Sequence, residues 1–335
     1  MVRVAINGFG RIGRLVLRAA FEHQESRIEI AAINDLGPVE TNAHLLRYDS
    51  VHGRFPGEIA TGPDFIDLGR GRIAVLAERE PSRLPWRALG VDLVLECTGL
   101  FTKREAAAKH LEAGANRVLI SAPGEGADMT VVMGVNHDAL EARHRVISNA
   151  SCTTNCLAPL ADVLDRAIGI ERGYMTTIHS YTADQNLVDS LHRDLRRARA
   201  AALSMIPTST GAARAVGLVL PRLKGKLDGT AIRVPCANVS LVDFAFDAAR
   251  ETSSEEINRV MEEASRSARL KGILGINKAP LVSNDFNHDP HSCVFDAGQT
   301  QVLDKRFVRV LSWYDNEWGF SNRMVEAAGY CGGLG

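Results

Sequence analysis

Several things are scarce in this chain of 335 residues, and each scarcity narrows what it can be. Cysteine occurs six times, at Cys97, Cys152, Cys156, Cys236, Cys293 and Cys331, too thinly for a disulfide-built fold in a chain this long. Neither sign of charge dominates: Lys+Arg number 39 against Asp+Glu 40, a formal net charge of −1. A dedicated nucleic-acid binder would carry a basic surplus, so that role is not expected. No apolar run reaches the roughly 18 residues of a membrane-spanning helix, so no membrane partner is expected either. The opening Met1-Val2-Arg3-Val4-Ala5-Ile6 enters a strand-like run without a signal-peptide core, which predicts a cytoplasmic protein with reduced thiols. What remains is ordinary globular composition, 45% hydrophobic and 24% charged. At roughly 100–200 residues per domain, the length suggests two domains.

The first half alternates short apolar runs with longer amphipathic ones. Val2–Ile6, Ile28–Ile33, Val91–Cys97, Arg117–Ser121 and Arg145–Ser148 read as strands, and Ile12–Glu22, Lys103–Ala113 and Thr153–Ile168 as helices. That alternation predicts an α/β Rossmann-type domain, a parallel sheet covered on both faces, over residues 1–151. The second half reads differently. Gly173–Ser180, Ala231–Pro235, Val239–Phe246 and Phe307–Tyr314 are strand-like with few helices between them, Ser253–Ala268 being one. This predicts an α+β catalytic domain with a largely antiparallel sheet over 152–315. A C-terminal helix, 316–335, is expected to return to the first domain and to fray early at Cys331-Gly332-Gly333. Tyr181–Leu203 is polar, Arg-rich and longer than an ordinary connection, so it is expected to be functional or interface-forming.

Gly8-Phe9-Gly10-Arg11-Ile12-Gly13 fits G-x-G-x-x-G directly between the first strand and the first helix. Gly8 would permit the tight turn, Gly10 close approach to a pyrophosphate, and Gly13 helix–strand packing, with the helix N-terminus facing the phosphates. Asp35 ends the second strand, 22 residues past Gly13, where a carboxylate accepts a ribose hydroxyl and repels a 2′-phosphate. The pattern predicts a dinucleotide site with NAD favoured over NADP. An unliganded glycine turn with Asp35 as a helix cap is the competing reading.

Ser148-Asn149-Ala150-Ser151-Cys152-Thr153-Thr154-Asn155-Cys156 lies between a strand and a helix. Ser151 as N-cap would place Cys152 in the first turn, where amides and dipole lower a thiol pKa from about 8.5 toward neutrality. Cys156 falls one turn deeper. A metal site is not expected, because no second Cys/His pair follows at ligand spacing. A disulfide between Cys152 and Cys156 has poor geometry at that spacing. On these residues alone, a buried inert thiol and a reactive one remain equally open. A nucleophile needs a base, and His179 ends an apolar strand at the start of the long polar loop. His52 is the next candidate, with His288 and His291 behind it.

Five blocks together resemble the phosphorylating glyceraldehyde-3-phosphate dehydrogenases. They are Ser148–Cys156, Thr176–Thr182, Asp194–Ala201, Ile206–Ala213 and Trp313–Glu317, and the similarity runs from Val2 to about Met324. The resemblance implies Cys152 as nucleophile and His179 as its activating base. It also implies inorganic phosphate on Ser151, Thr153, Thr210, Gly211 and Arg197, and the substrate's C3 phosphate on Thr182 and Arg233. NAD contacts would come from Arg11, Ile12, Asp35, Arg79, Ser121 and Asn316, with Asn316 holding the nicotinamide amide. Glyceraldehyde 3-phosphate and phosphate are the implied partners, and a homotetramer the implied assembly. Arg193, Arg196 and Arg199 are then read as interface pairs in the Tyr181–Leu203 loop.

Two features depart from the family pattern. After Asp189 stands Ser190-Leu191, matching neither the Leu-Pro of NAD-specific relatives nor the Ala-Ser of NADP-accepting ones, which leaves dual cofactor use open. The glycine-rich tail is the other. Erythrose-4-phosphate dehydrogenases share the thiol and base but usually lack the Ser180-Tyr181-Thr182 pattern present here. Intact Cys152, His179, Thr182 and Arg233 count against a non-catalytic RNA- or partner-binding relative.

Overall fold

The computed structural model describes residues 1–23 and 27–334. They form two compact units, one of Met1–Met133, His137–Ser151 and the chain from Ser321 onward, the other of Gly134–Asn136 and Cys152–Phe320.

The first unit is built on a nine-stranded sheet. Its order is Met129–Thr130, Val146–Ser148, Arg117–Ile120, Leu93–Glu96, Val2–Asn7, Ile28–Asn34, Arg72–Leu76, Phe65–Asp67, Ala60–Gly62. Neighbours are parallel as far as Arg72–Leu76, and the last two strands run antiparallel. Val4, Ala5 and Ile6 are wholly buried, as expected for a central strand covered on both faces. The strand order reverses at Val2–Asn7, between Ile28–Asn34 and Leu93–Glu96, so a crevice opens beyond the strands' carboxyl ends. Helices α1 (Arg11–Glu22), α2 (Val39–Arg47) and α3 (Arg104–Glu112) belong to this unit. Helix α2 and the strand Arg72–Leu76 were not expected from the sequence. In α2 only Asn42, Ala43 and Leu46 are buried, which leaves little helical periodicity to read.

In the second unit an eight-stranded sheet runs Ile206–Ser209, Leu227–Val234, Ile170–Ser180, Ser240–Ala248, Phe307–Tyr314, Cys293–Asp296, Leu274–Asn277, with Gln301–Leu303 also on Phe307–Tyr314. It is antiparallel except where Ile170–Ser180 meets Leu227–Val234 and where Leu274–Asn277 meets Cys293–Asp296. Helices α4 (Cys152–Ile168), α5 (Ala212–Val219) and α6 (Ser254–Ser265) accompany it, and α4 packs on the four strands from Ile170–Ser180 to Cys293–Asp296. Ser240–Ala248 buries every second residue, among them Phe244 and Phe246, whose rings stack 5.1 Å apart. Burying each such ring contributes about 1.5–3 kcal/mol.

Helix α7 (Trp318–Gly332) continues through the residues where early fraying was expected. A Cβ at Gly332 would collide with the Val2 side chain, so glycine lets the helix end pack against the first strand. That close packing offsets glycine's poor helix propensity. Among the described residues no helix is long and apolar enough to cross a membrane, and the six cysteines are free thiols.

Candidate active site

The glycine motif meets three different steric demands. Gly8 has φ +90°, and a Cβ there would sit 2.7 Å from the Thr98 amide nitrogen. At Gly13 a Cβ would collide with the Gly8 carbonyl, so α1 can approach the strand only without one. Gly10 faces nothing within 4 Å, leaving its surroundings open for a ligand. It is also the N-cap of α1 and supplies no side-chain cap, so the helix presents its first amides uncapped by a side chain. A cleft of about 350 Å³ is lined by Gly8, Gly10, Asp35, Arg79, Cys97 and Thr98 among others. Asp35 accepts from the Phe9 amide at 2.8 Å and the Gly37 amide at 3.0 Å, which aims its carboxylate at the motif. These donors, the open face at Gly10 and the acid at the strand end fit a dinucleotide. Arg11 turns its guanidinium to Asp49 at 2.6 Å, Ile12 is half-buried on α1, and the Ser121 amide donates to Glu96 O at 3.0 Å.

The cleft rests on a buried polar network that the sequence reading missed. Glu96 is 1% exposed, and its Oε2 accepts from Asn7 Nδ2 at 2.6 Å and His110 Nε2 at 3.0 Å. Its other oxygen accepts from the Thr98 amide at 2.8 Å and from the Thr98 hydroxyl. Trp86 Nε1 donates to His110 Nδ1 at 3.0 Å, so the imidazole proton sits on Nε2, facing Glu96. Asn34 Nδ2 donates to Asn7 Oδ1 at 2.7 Å, while Asn34 Oδ1 accepts the Glu78 amide at 2.8 Å. Four donors thus satisfy one buried carboxylate, and the cleft residues Asn7, Asn34, Glu78 and Thr98 are tied together. A glutamate inside the apolar run Val91–Cys97 was the available signal. Cys97 lines the same cleft, and burial and then the Glu96 charge push its thiol up to about 12, which disfavours the thiolate.

In the second unit Cys152 opens α4, and its Sγ lies 3.5 Å from His179 Nε2. The turn before the helix is strained: Ala150, buried, has φ +57°, a region that disfavours a side chain. His179 and Arg233 are register partners on adjacent parallel strands. His179 Nδ1 donates to Ser180 O at 2.7 Å, and Arg233 Nη1 donates to the same carbonyl at 2.9 Å. That tautomer leaves Nε2 with its lone pair toward the sulfur. Arg233 Nη1 is also only 2.7 Å from Nδ1, so a cation stands directly against the ring. Burial, reinforced by Arg233, lowers the His179 pKa to about 3. The depressed thiol pKa expected from the helix start is not what the structure gives: burial raises the Cys152 thiol, outweighing the Arg233 charge and the helix amides. Both shifts oppose charge on the pair. Of the other histidines considered, His288 stacks on Trp318 at 3.7 Å and His291 Nδ1 pairs with Asp289 at 2.7 Å. His52 lies in the first unit, where its amide donates to Asp49 Oδ1 at 3.0 Å.

Cationic and hydroxyl groups gather around the same strands. Arg233 Nε is buried without a hydrogen-bond partner among the described residues, which leaves an N–H available to an anion. Arg197 donates through Nε to Thr208 Oγ1 at 3.0 Å and pairs with Asp184. Its charge reaches both Arg233 and His179, lowering the pKa of each after burial and nearer charges have acted. Thr210 caps α5 through the Ala212 amide at 3.2 Å, and Gly211 opens onto empty space. The Thr182 amide donates to Gln185 Oε1 at 3.3 Å. The Thr153 and Thr177 hydroxyls each lie 2.8 Å from the Tyr314 hydroxyl, a buried contact that the sequence reading missed. Ser151 immediately precedes α4 and is half-buried. Asn316 is 5% exposed, its Oδ1 held by the hydroxyls of Ser180 at 2.9 Å and Ser240 at 2.8 Å. In the Tyr181–Leu203 loop, Arg199 pairs with Asp189 at 2.7 Å and Arg197 with Asp184, so two arginines are paired within the loop itself. Among the described residues no cluster of three or more His, Cys, Asp or Glu could hold a metal ion.

Residues 2–104 match the model of the glyceraldehyde 3-phosphate dehydrogenase NAD binding domain, and residues 151–316 match the C-terminal domain of the same family. The chain is 65% identical to the glyceraldehyde-3-phosphate dehydrogenase of Xanthobacter flavus, covering 100% of this chain and 99% of the relative. It is 65% identical to that of Cereibacter sphaeroides, over 98% of this chain and 97% of the relative. Against the Pseudomonas aeruginosa protein of the same name it is 61% identical, again over 98% and 97%. With a glycine-lined dinucleotide cleft in one unit and a thiol–imidazole pair beside two arginines in the other, the chain belongs to the glyceraldehyde-3-phosphate dehydrogenase family of NAD-binding oxidoreductases.

Proposed function

We propose that this chain oxidises D-glyceraldehyde 3-phosphate with NAD and inorganic phosphate to 1,3-bisphosphoglycerate, through covalent chemistry on Cys152. The observation that carries this reading is Cys152 Sγ at 3.5 Å from His179 Nε2, with Arg233 against the far side of the imidazole. NAD bound in the cleft supplies a hydride acceptor. His179 Nε2 takes the Cys152 proton as sulfur attacks the aldehyde carbon, and hands it to the oxygen to complete a hemithioacetal. His179 then removes the hydroxyl proton as hydride leaves the carbon, giving a thioester on Cys152. Phosphate attacks the thioester carbon, the carbon–sulfur bond breaks, and the departing thiolate regains its proton from His179.

The remaining groups divide the two anions. Arg233, with its unpartnered Nε, and Thr182 take the C3 phosphate; Ser151, Thr153, Arg197, Thr210 and Gly211 take inorganic phosphate. An incoming phosphate would draw charge from Arg233, easing the penalty on an imidazolium and strengthening His179 as a base at the right moment. On the cofactor side, Gly8, Gly10, Arg11, Ile12, Gly13, Asp35, Arg79 and Ser121 hold the dinucleotide, and Asn316 holds the nicotinamide amide. The Asp35 carboxylate favours a free ribose hydroxyl, hence NAD over NADP.

Following reduced nicotinamide with glyceraldehyde 3-phosphate and phosphate, using NAD and NADP separately, tests the reading. Turnover with NAD is expected; folded protein inactive with both cofactors would overturn it.

The Tyr181–Leu203 loop and its neighbour Met205 carry the argument for assembly. Leu187, Val188, Leu191, Leu195, Leu203 and Met205 are between 73% and 100% exposed on one segment. A cluster of that size on a protein surface marks an interface, and we read it as covered by other copies of this chain in a homotetramer.

A further inference from the structure

The reading of Asn316 as the nicotinamide contact leaves open which end of its amide the cofactor meets, and the hydrogen bonds behind it decide the question. The Ser180 backbone amide donates to Ser240 Oγ at 3.1 Å. With that lone pair engaged, the Ser240 hydroxyl hydrogen is free to donate, and its partner at 2.8 Å is the Asn316 side chain. The Ser180 hydroxyl donates to the same atom at 2.9 Å. An atom receiving two O–H donors is the amide oxygen, with both lone pairs occupied. Turning the amide over would leave the Ser240 hydrogen without an acceptor among the bonds of the described residues. The backbone under Asn316 is equally fixed. The Asp315 carboxylate accepts from Asn238 Nδ2 at 2.8 Å and from the amides of His288 at 2.7 Å, Glu317 at 2.9 Å and Trp318 at 2.7 Å. Ser180 and Ser240 are 0% and 1% exposed, so water cannot substitute for either hydroxyl. Asn316 Nδ2 makes no hydrogen bond within the described residues and is the end left to a ligand.

We infer that Ser180 and Ser240 are positioning residues that lock the Asn316 carboxamide with its NH2 outward, so that the cofactor's pyridine ring is recognised through a carbonyl oxygen at its 3-position. The ring's own NH2 then plays no part in this contact, and a 3-acetyl ring, which has the oxygen but no NH2, satisfies it as well as a carboxamide. The inference rests on the nicotinamide reading of Asn316 but goes beyond it, since it assigns the direction of the bond and the residues that impose it.

The test compares NAD with its 3-acetylpyridine analogue in the intact enzyme. Both should support turnover in the unmodified protein. Ser240→Ala removes the hydrogen that fixes the amide and frees it to turn over, with the Ser180 hydroxyl then able to accept from Nδ2. A turned Asn316 still accepts from the nicotinamide NH2 but has no donor for the acetyl oxygen. The kcat/KM ratio of analogue to NAD should therefore fall about tenfold, the scale of one lost buried hydrogen bond, and Ser240→Thr should restore it. A purely structural role would lower both dinucleotides equally, and equal losses overturn the inference. If Ser240→Ala does not fold, Ser240→Cys, whose thiol is only a weak donor, carries the comparison instead. Asn316→Ala separates the two levels. If it leaves both dinucleotides unaffected, the nicotinamide reading fails. If it weakens both while the Ser240 variants leave the ratio unchanged, the lock alone fails.

Discussion

At the scale of single residues, the proposed chemistry rests on a thiol and an imidazole whose charged forms burial opposes. With a folded pKa near 3 against an ordinary 6.5, His179 contributes nothing to pH dependence above about 6.5. Between 6.5 and 3 the unfolded chain binds a proton that the folded one refuses, so folding stability falls as pH falls, by about 1.4 kcal/mol per unit at most. His179→Gln should remove that slope when urea midpoints are compared from pH 6 to pH 4; an unchanged slope would show that His179 is not held neutral. Cys152→Ser should abolish turnover while NAD affinity stays within about twofold of the parent, since a hydroxyl without further activation is a weak nucleophile. Near-normal turnover would remove Cys152 from its role. Both residues were legible in the sequence by type and position. The direction of the thiol's shift was not, because helix-start logic counts local amides and dipole while burial depends on residues distant in the chain.

At the scale of elements, the glycine motif separates folding from binding. Gly10→Ala adds a methyl into open space, so its melting temperature should stay within a degree or two of the parent while NAD affinity drops at least about tenfold. Gly13→Ala instead forces α1 away from the Gly8 carbonyl and should cost several kcal/mol of stability. Calorimetry and thermal melts on the two variants check this, and equal melting temperatures would contradict it. The strand–turn–helix unit was legible because three glycines at fixed offsets imply one geometry. The Glu96–His110–Trp86 network beneath it was not, since Trp86 lies in a turn, Glu96 on a strand and His110 on a helix, with no shared spacing. Removing the buried charge in Glu96→Gln leaves one donor facing another and should weaken NAD binding, because Thr98 and Asn7 lose their common anchor. The short strands Ala60–Gly62 and Phe65–Asp67 escaped for a simpler reason: three residues are too few to show a period.

At the scale of the whole molecule, two units with different sheets divide the labour. A parallel sheet whose strand order reverses opens a crevice for the dinucleotide, and a mixed sheet brings His179 and Arg233 side by side for the proposed chemistry. The near-neutral charge is compatible with the three anionic reactants of the proposed reaction, since a few arginines and helix starts would bind them locally without a global positive field. The exposed apolar loop is the support for the proposed homotetramer. Sedimentation should give a mass near four times 36.3 kDa, and Leu191→Asp with Leu195→Asp should lower it; a monomer in the parent protein would contradict the reading of that surface.

The central claim is that oxidation is stored as a thioester on Cys152 and released by phosphate. Mixing enzyme, NAD and glyceraldehyde 3-phosphate without phosphate, and recording intact mass alongside reduced nicotinamide, tests it directly. The account predicts one burst of reduced nicotinamide per subunit and one glyceroyl phosphate adduct on Cys152, both discharged into steady turnover when phosphate is added. Steady phosphate-independent turnover without an adduct would contradict it.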